Sequence, residues 1–190
     1  MNASRTCLTC KVIMSIAASF LVLSAGLARA KTLYTSTEPS KCSSPSKQLI
    51  ALYDAQGLDV QECKGPKGLK FLVVSTDERS WVDLQQGDQI WTTQDEVVYN
   101  NRFGYFPNIG SGVVEWNVTS AGEPSSLIFR ITAQDKRKGA PIGATVSRLF
   151  VISLRQNRPA FCGVATTNEE ARALSNSSGK CRNRLPVRSR

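Results

Sequence analysis

Histidine is absent from this chain of 190 residues. Its absence excludes Ser-His and Cys-His nucleophile systems, histidine general bases and the commonest kinds of zinc site. Chemistry that uses paired carboxylates or lysine remains open. The sequence also contains no cofactor motif, so no cofactor is expected. These absences favour a protein that is not an enzyme, although they do not exclude an enzyme.

Long hydrophobic runs are scarce, and the clearest covers residues 12–27, about 16 residues. That is shorter than the roughly 20 residues needed to span a hydrocarbon core. The run is flanked by basic residues and a small-residue motif: Arg5, Lys11 and Ala28-Arg29-Ala30. This is the pattern of a signal peptide cleaved before Lys31. We expect residues 1–30 to be removed and the mature protein to be periplasmic or secreted, with no transmembrane segment after cleavage.

The charge that remains after cleavage is moderately basic. The signal contains three of the 24 basic residues and none of the 15 acidic ones, so a net charge of +6 is left on 160 residues. This length suits one domain with its own core. The charge favours anionic surfaces, whereas nucleic acid is not an expected partner for an exported protein.

Four cysteines lie beyond the signal, namely Cys42, Cys63, Cys162 and Cys181. An even number in an oxidising compartment predicts two disulfides, and the three possible pairings cannot be separated by sequence alone. We favour Cys42 with Cys63 and Cys162 with Cys181, because each pair closes a loop of about 20 residues within one half of the chain. The spacings lack the close ligand pairs that are typical of a zinc site.

The hydrophobic pattern predicts a mainly β protein, an antiparallel sandwich or open barrel with one or two short helices, including one near the C-terminus. Short β-rich runs between turn signals predict strands near 58–63, 69–75, 80–85, 96–100, 112–120, 125–134, 145–156 and 159–165. Helices are predicted over 47–56 and 168–177. We expect one domain over residues 31–181, followed by a basic tail over 182–190.

The firmest hairpin prediction concerns the two strands around the turn at residues 121–124. Alternation suggests that Trp116 faces Phe129 on an apolar face, which sets Glu115 opposite Arg130 on the other face. A slip of one residue would bury the charges and expose the tryptophan.

Two features of the sequence are candidate partner-binding surfaces. The tail carries Lys180, Arg182, Arg184, Arg188 and Arg190, which would suit lipopolysaccharide, anionic lipid or acidic polysaccharide. A glycine-rich stretch carries Tyr99, Phe103, Tyr105 and Phe106, which would offer rigid contact area. The alternatives are a solvated terminus for the tail and a lid over one end of the sandwich for the aromatics. A second basic group, Lys136-Arg137-Lys138, is placed in a long hairpin loop.

Several short motifs resemble a family of small bacterial secreted proteins. These are the export signal, Tyr34-Thr35, Cys42 with Cys63, Gly65-Pro66-Lys67-Gly68, Val114-Glu115-Trp116 and Phe161-Cys162-Gly163-Val164. The resemblance covers most of residues 34–165. It implies export and a compact domain, but no activity and no catalytic residue.

These features favour a non-enzymatic binding module of the bacterial envelope, whose partner is an anionic envelope component or another exported protein. One alternative is an inhibitor of an envelope-directed enzyme such as a lysozyme, which is an argument from fold alone. The other is a carboxylate-based hydrolase that would use Glu115 with Asp83 or Asp88 across a cleft.

Overall fold

The computed structural model describes residues 31–110, 112–155, 158–177, 181 and 183–188. The predicted signal over residues 1–30 lies outside the described residues. In chain order the elements are β1 (Lys31–Ser36), α1 (Lys47–Asp54), β2 (Asp59–Lys64), β3 (Lys70–Ser75), β4 (Ser80–Gln86), β5 (Gln89–Thr92), a π-helical turn (Asp95–Tyr99), β6 (Gly104–Asn108), β7 (Val113–Val118), β8 (Pro124–Asp135), β9 (Thr145–Ser153), β10 (Ala160–Ala165), α2 (Asn168–Asn176) and β11 (Asn183–Arg184). Short 3-10 turns lie at Pro39–Lys41 and Pro66–Gly68.

Two antiparallel sheets form the fold, as the sequence predicted. The large sheet has the order β1-β7-β8-β9-β10-β11, and β6 pairs with the far end of β8. The small sheet is the meander β2-β3-β4-β5. Helix α2 contacts β8, β9 and β10, and α1 contacts β2. Within the described residues, none of the helices is long and apolar enough to cross a membrane.

An aromatic core holds the two sheets together. Phe71 of the small sheet meets Trp116 and Phe129 of the large sheet edge-on, with ring centroids 6.2 and 5.8 Å apart. Phe129 stacks on Phe150 at 5.7 Å. The alternating inward positions of β3, β7, β8 and β9 supply these rings, which is why the strand pattern could be recognised in the sequence. The core residues that the structure describes all lie within residues 31–190, so a fragment over that range contains them.

Both predicted disulfides are confirmed. Cys42 is bonded to Cys63 and Cys162 to Cys181, with Cα atoms 4.3 and 4.8 Å apart. The first attaches the segment after β1 to β2. The second attaches β10 to the segment before β11, at a place where the pairing of β9 with β10 shifts register between Phe161 and Gly163. The two disulfides are compatible with an oxidising or extracellular compartment.

The two predicted helices are present, but one predicted strand is wrong. Residues 96–100 fall in a π-helical turn in which the Val97 amide donates to the Thr93 carbonyl at 2.9 Å. Val97 is fully buried at this turn. Val97 and Val98 therefore pack inward from a helical turn. Their β-branched side chains suggested a strand, but β propensity reflects a fit to a half-buried surface more than a backbone preference.

The predicted hairpin register needs a correction of two residues. Trp116 lies opposite Leu127, and Glu115 lies opposite Ile128 instead of Arg130. The Thr119 amide donates to the Glu123 carbonyl at 2.8 Å, so the turn is shorter and earlier than predicted, and the bulge between Asn117 and Val118 recovers only one residue of the resulting offset. Because the register differs from the prediction by two residues, each side chain stays on its predicted face of the sheet. Trp116 therefore still points into the core and is fully buried.

Candidate functional site

An open groove of about 620 Å³ lies where the π-helical turn and the residues after it, the loop between β8 and β9, β9 and β10 meet. The inward side chains of β9 show how it arises. Ile152 and Phe150 are completely buried, whereas Arg148 and Val146, on the same face of the strand, are partly exposed. The inner face of the large sheet therefore opens to solvent toward the start of β9. The volume is within the range of small-ligand sites.

The floor of the groove is apolar and continuous with the core. It is formed by Phe103, Val146, Phe161 and Val164. The rings of Phe103 and Phe161 lie 6.0 and 5.8 Å from that of Phe150, so the groove ends on the aromatic core of the sandwich. Val164 is 42% exposed, which leaves an apolar surface available to a ligand.

A local turn and a close backbone approach position Phe103. The Asn101 side-chain oxygen accepts from the amides of Phe103 and Gly104 at 3.2 and 3.3 Å. At Gly104, an added Cβ would lie 2.5 Å from both the Ala133 Cβ and the Gln134 carbonyl oxygen. Only glycine lets β6 begin this close to β8, and this approach fixes one wall of the groove.

Four cations line the rim, namely Arg102, Lys136, Arg137 and Arg148. Arg148 is the most deeply placed, because its strand position faces inward between Val146 and Phe150. Its guanidinium lies 5.8 Å from the centroid of the Phe103 ring, and it donates to the Ser147 carbonyl at 2.8 Å. A charge held over an apolar floor interacts with a bound anion more strongly than one in open water.

Two carboxylates share the groove with these cations. Arg137 donates through Nε to Asp135 at 2.8 Å, and these hydrogen bonds hold the pKa of Asp135 below its ordinary value. Burial raises the pKa of Glu96, and a hydrogen bond from Asn100 opposes that rise. Four cations against two carboxylates leave a positive surplus at the lining. The arrangement can hold a ligand with an apolar body and an anionic group.

The structure separates the predicted aromatic patch. Phe103 lines the groove, whereas Tyr99 and Tyr105 are exposed. The guanidinium carbon of Arg79 lies over the Phe106 ring, 5.1 Å from the ring centroid. The predicted partner-binding role of the four aromatics stays a prediction, and the groove involves one of them.

The described part of the predicted basic tail belongs to the folded domain. Arg184 is exposed on β11, which pairs with β10. Arg188 is only 7% exposed at its side chain, and its Nε donates to the fully buried Asp83 at 2.7 Å. The prediction of a free tail is therefore corrected at Arg188, because a guanidinium in a buried ion pair does not reach an anionic surface. Arg182 and Arg190 lie outside the described residues.

Asp83 is the centre of a buried polar network. Tyr53 Oη donates to it at 2.6 Å and Trp81 Nε1 at 3.2 Å. Burial raises the pKa of Asp83 and Arg188 opposes that rise, while burial and the neighbouring carboxylate raise the pKa of Tyr53. Arg188 also lies over the Tyr53 ring at 4.9 Å. The network fastens the C-terminal segment to β4 and exposes no carboxylate to a substrate, so Asp83 is structural.

Glu115, another of the three predicted catalytic carboxylates, is also in an ion pair. Glu115 receives two hydrogen bonds from Arg172 of α2, at 3.1 and 3.0 Å. The expected partner, Arg130, is exposed instead. Sequence reasoning also missed Arg148, although a lone cation among inward apolar positions of a strand is a signal that alternation could have revealed.

Across the described part of the chain, no group of three histidine, cysteine, aspartate or glutamate side chains could hold a metal ion. Searches against protein-family models, curated proteins and solved structures returned no match. The family resemblance noted in the sequence stays a prediction, and function is inferred from the groove itself.

Proposed function

We propose that this protein is an exported, non-enzymatic binding module of the bacterial envelope that takes up an anionic amphiphile in the groove. One observation carries the proposal: an apolar floor that reaches the core is surrounded by a surplus of cations. An apolar chain would displace water from Phe103, Phe161 and Val164, and the anionic group would meet Arg148 and the rim. The predicted signal and the two disulfides support export.

The proposal is tested with the fragment over residues 31–190 and decanoate below its micelle concentration, titrated by calorimetry. Arg148→Met keeps an unbranched side chain and removes the charge, so decanoate affinity should fall by about tenfold, as expected for a charge-assisted hydrogen bond worth about 1.5 kcal/mol or more. Val164→Asp should weaken binding further, because it places a negative charge, which repels the decanoate carboxylate, on the apolar floor. Arg184→Met is the matched control, since Arg184 is exposed on β11 away from the groove lining.

Decyltrimethylammonium distinguishes charge recognition from simple apolar binding. The cation should bind at least tenfold more weakly than decanoate, since both ligands carry the same chain. Equal affinity for the two ligands, or an Arg148→Met variant that binds decanoate like the parent, would contradict the proposal.

A carboxylate-based hydrolase is the second candidate, because Glu96 and Asp135 line the same groove. Their pKa values are displaced in opposite directions, upward for Glu96 and downward for Asp135, and such divergence is typical of acid and base partners. Hydrolysis of chromogenic glycosides that is lost in Glu96→Gln, with decanoate binding retained, would favour this candidate. No hydrolysis by the parent fragment would remove it.

A further inference from the structure

The loop that joins β8 and β9 presents an apolar tip beside the groove. Ile142 in this loop, residues 136–144, is fully exposed. We propose that the loop docks on an anionic membrane surface, with Ile142 entering the interface and the loop cations contacting lipid head groups. The site lies next to the groove and shares Lys136 and Arg137 with its rim, but Ile142 and Lys138 are outside the groove lining.

The backbone of the loop holds Ile142 outward. Two consecutive turns are closed by hydrogen bonds, from the Ala140 amide to the Arg137 carbonyl and from the Ala144 amide to the Pro141 carbonyl, each 3.0 Å. Gly143 has a φ of +78°, which is typical of a type II turn with Ile142 at its second position. The tip is thus already ordered in the free protein, so docking does not require a further loss of conformational entropy in the loop.

A single exposed apolar residue is common on protein surfaces, and the surrounding charge is what distinguishes Ile142. Lys136, Arg137 and Lys138 lie in the same loop and are all exposed. Tyr105, exposed on β6, is paired with Gln134 at the base of the loop. An apolar tip with cations and a tyrosine around it matches the depth profile of a bilayer interface, where tyrosine lies at head-group level and cations contact anionic lipids.

Charge complementarity selects an anionic bilayer over a neutral one. Each cation near such a surface contributes about fivefold to affinity, equivalent to about 1 kcal/mol. Burial of the isoleucine side chain contributes about tenfold or more. Soluble acidic polysaccharide would use the cations but would gain nothing from Ile142, and this difference separates the two kinds of partner.

The test measures co-sedimentation of the 31–190 fragment with vesicles of phosphatidylcholine alone or with an equal part of phosphatidylglycerol. We expect binding to the anionic vesicles that is lost in about 0.5 M NaCl, where charges are strongly screened. Ile142→Ser should weaken it about tenfold and Lys138→Gln about fivefold. The matched controls Ile50→Ser and Lys47→Gln, both exposed on α1, should bind like the parent. Thermal unfolding verifies that each variant is folded.

Two further measurements decide between outcomes. The fluorescence of Ile142→Trp should shift to the blue on anionic vesicles, as the indole leaves water. The Ile142→Ser variant should still bind decanoate, so failure of membrane docking and failure of the groove proposal give different results. The inference is overturned if anionic vesicles are not bound, if Ile142→Ser binds them like the parent, or if Ile50→Ser weakens binding equally.

Discussion

Replacement of Arg188 by methionine removes the charge that faces Asp83 while it keeps most of the side-chain volume. The side chains of Arg188 and Asp83 are 7% and 0% exposed, and their contact distance is 2.7 Å. Arg188 also donates to Gln56 at 2.9 Å. Loss of one partner of a buried ion pair costs about 3–5 kcal/mol, because the other charge stays buried without compensation. We expect the free energy of unfolding to fall by about 4 kcal/mol in Arg188→Met at about pH 8.

The size of this loss should depend on pH. Burial raises the pKa of Asp83, and Arg188 is the first of the groups that oppose the rise, so its removal raises the pKa of Asp83 further. A group whose pKa is higher in the folded state stabilises the fold below its unfolded pKa and loses that contribution as the pH rises through its folded pKa. The protonated carboxyl group is also easier to bury. Arg188→Met should therefore be less destabilised at about pH 5 than at about pH 8.

The assay is urea unfolding of the disulfide-bonded fragment, followed by tryptophan fluorescence. With an m-value of about 2 kcal/mol/M, the midpoint should fall by about 2 M. Arg184→Met is the matched control and should leave the midpoint unchanged within about 0.3 M, since Arg184 is exposed. Asp83→Asn combined with Arg188→Met should recover part of the loss, because no unpaired charge is left. An Arg188→Met midpoint equal to that of Arg184→Met, or a loss identical at both pH values, would refute the reasoning.

Two further perturbations test how the groove wall and the C-terminal segment are held. Gly104→Ala should cost about 1–3 kcal/mol, because its Cβ would meet Ala133 at 2.5 Å, whereas Gly110→Ala, with open space around the added Cβ, should be close to neutral in the same unfolding assay. Replacement of Cys162 and Cys181 by serine should lower the unfolding free energy by about 3 kcal/mol, as expected for a closed loop of this length. Retention of full stability in the serine variant would show that β11 and the segment after it are held without the disulfide.

The features that could be predicted from the sequence are those that depend on residues close together along the chain. Helix α2 could be predicted because neighbouring residues specify its start: the Thr167 side chain accepts from the Glu170 amide, and the Glu170 carboxylate accepts from the Thr167 amide. Strands β3, β8 and β9 were found from alternation and turn residues. Loop length, which is also a property of sequence distance, favoured the disulfide pairing without excluding the other two.

The groove could not be derived in this way. It brings together residues from the π-helical turn, the β8–β9 loop, β9 and β10, and their juxtaposition depends on strand order and on a register shift that alternation does not reveal. Phe103 was recognised as a candidate for its type, but its position on the groove floor depends on the contact with Phe150.

The sequence by itself determined the mainly antiparallel β class, the two short helices and the face on which Trp116 is buried, and it favoured the disulfide pairing that the structure then confirmed. Each depends on spacing along the chain, because side-chain alternation, capping and loop closure act over short distances. Only the tertiary structure decided that Arg188 pairs with Asp83, 105 residues away. It also decided that Arg148 lies over the apolar floor of the groove. A charge that is buried without a partner is costly, and which groups are close enough to pair depends on how the strands pack. Separation along the chain does not specify that packing.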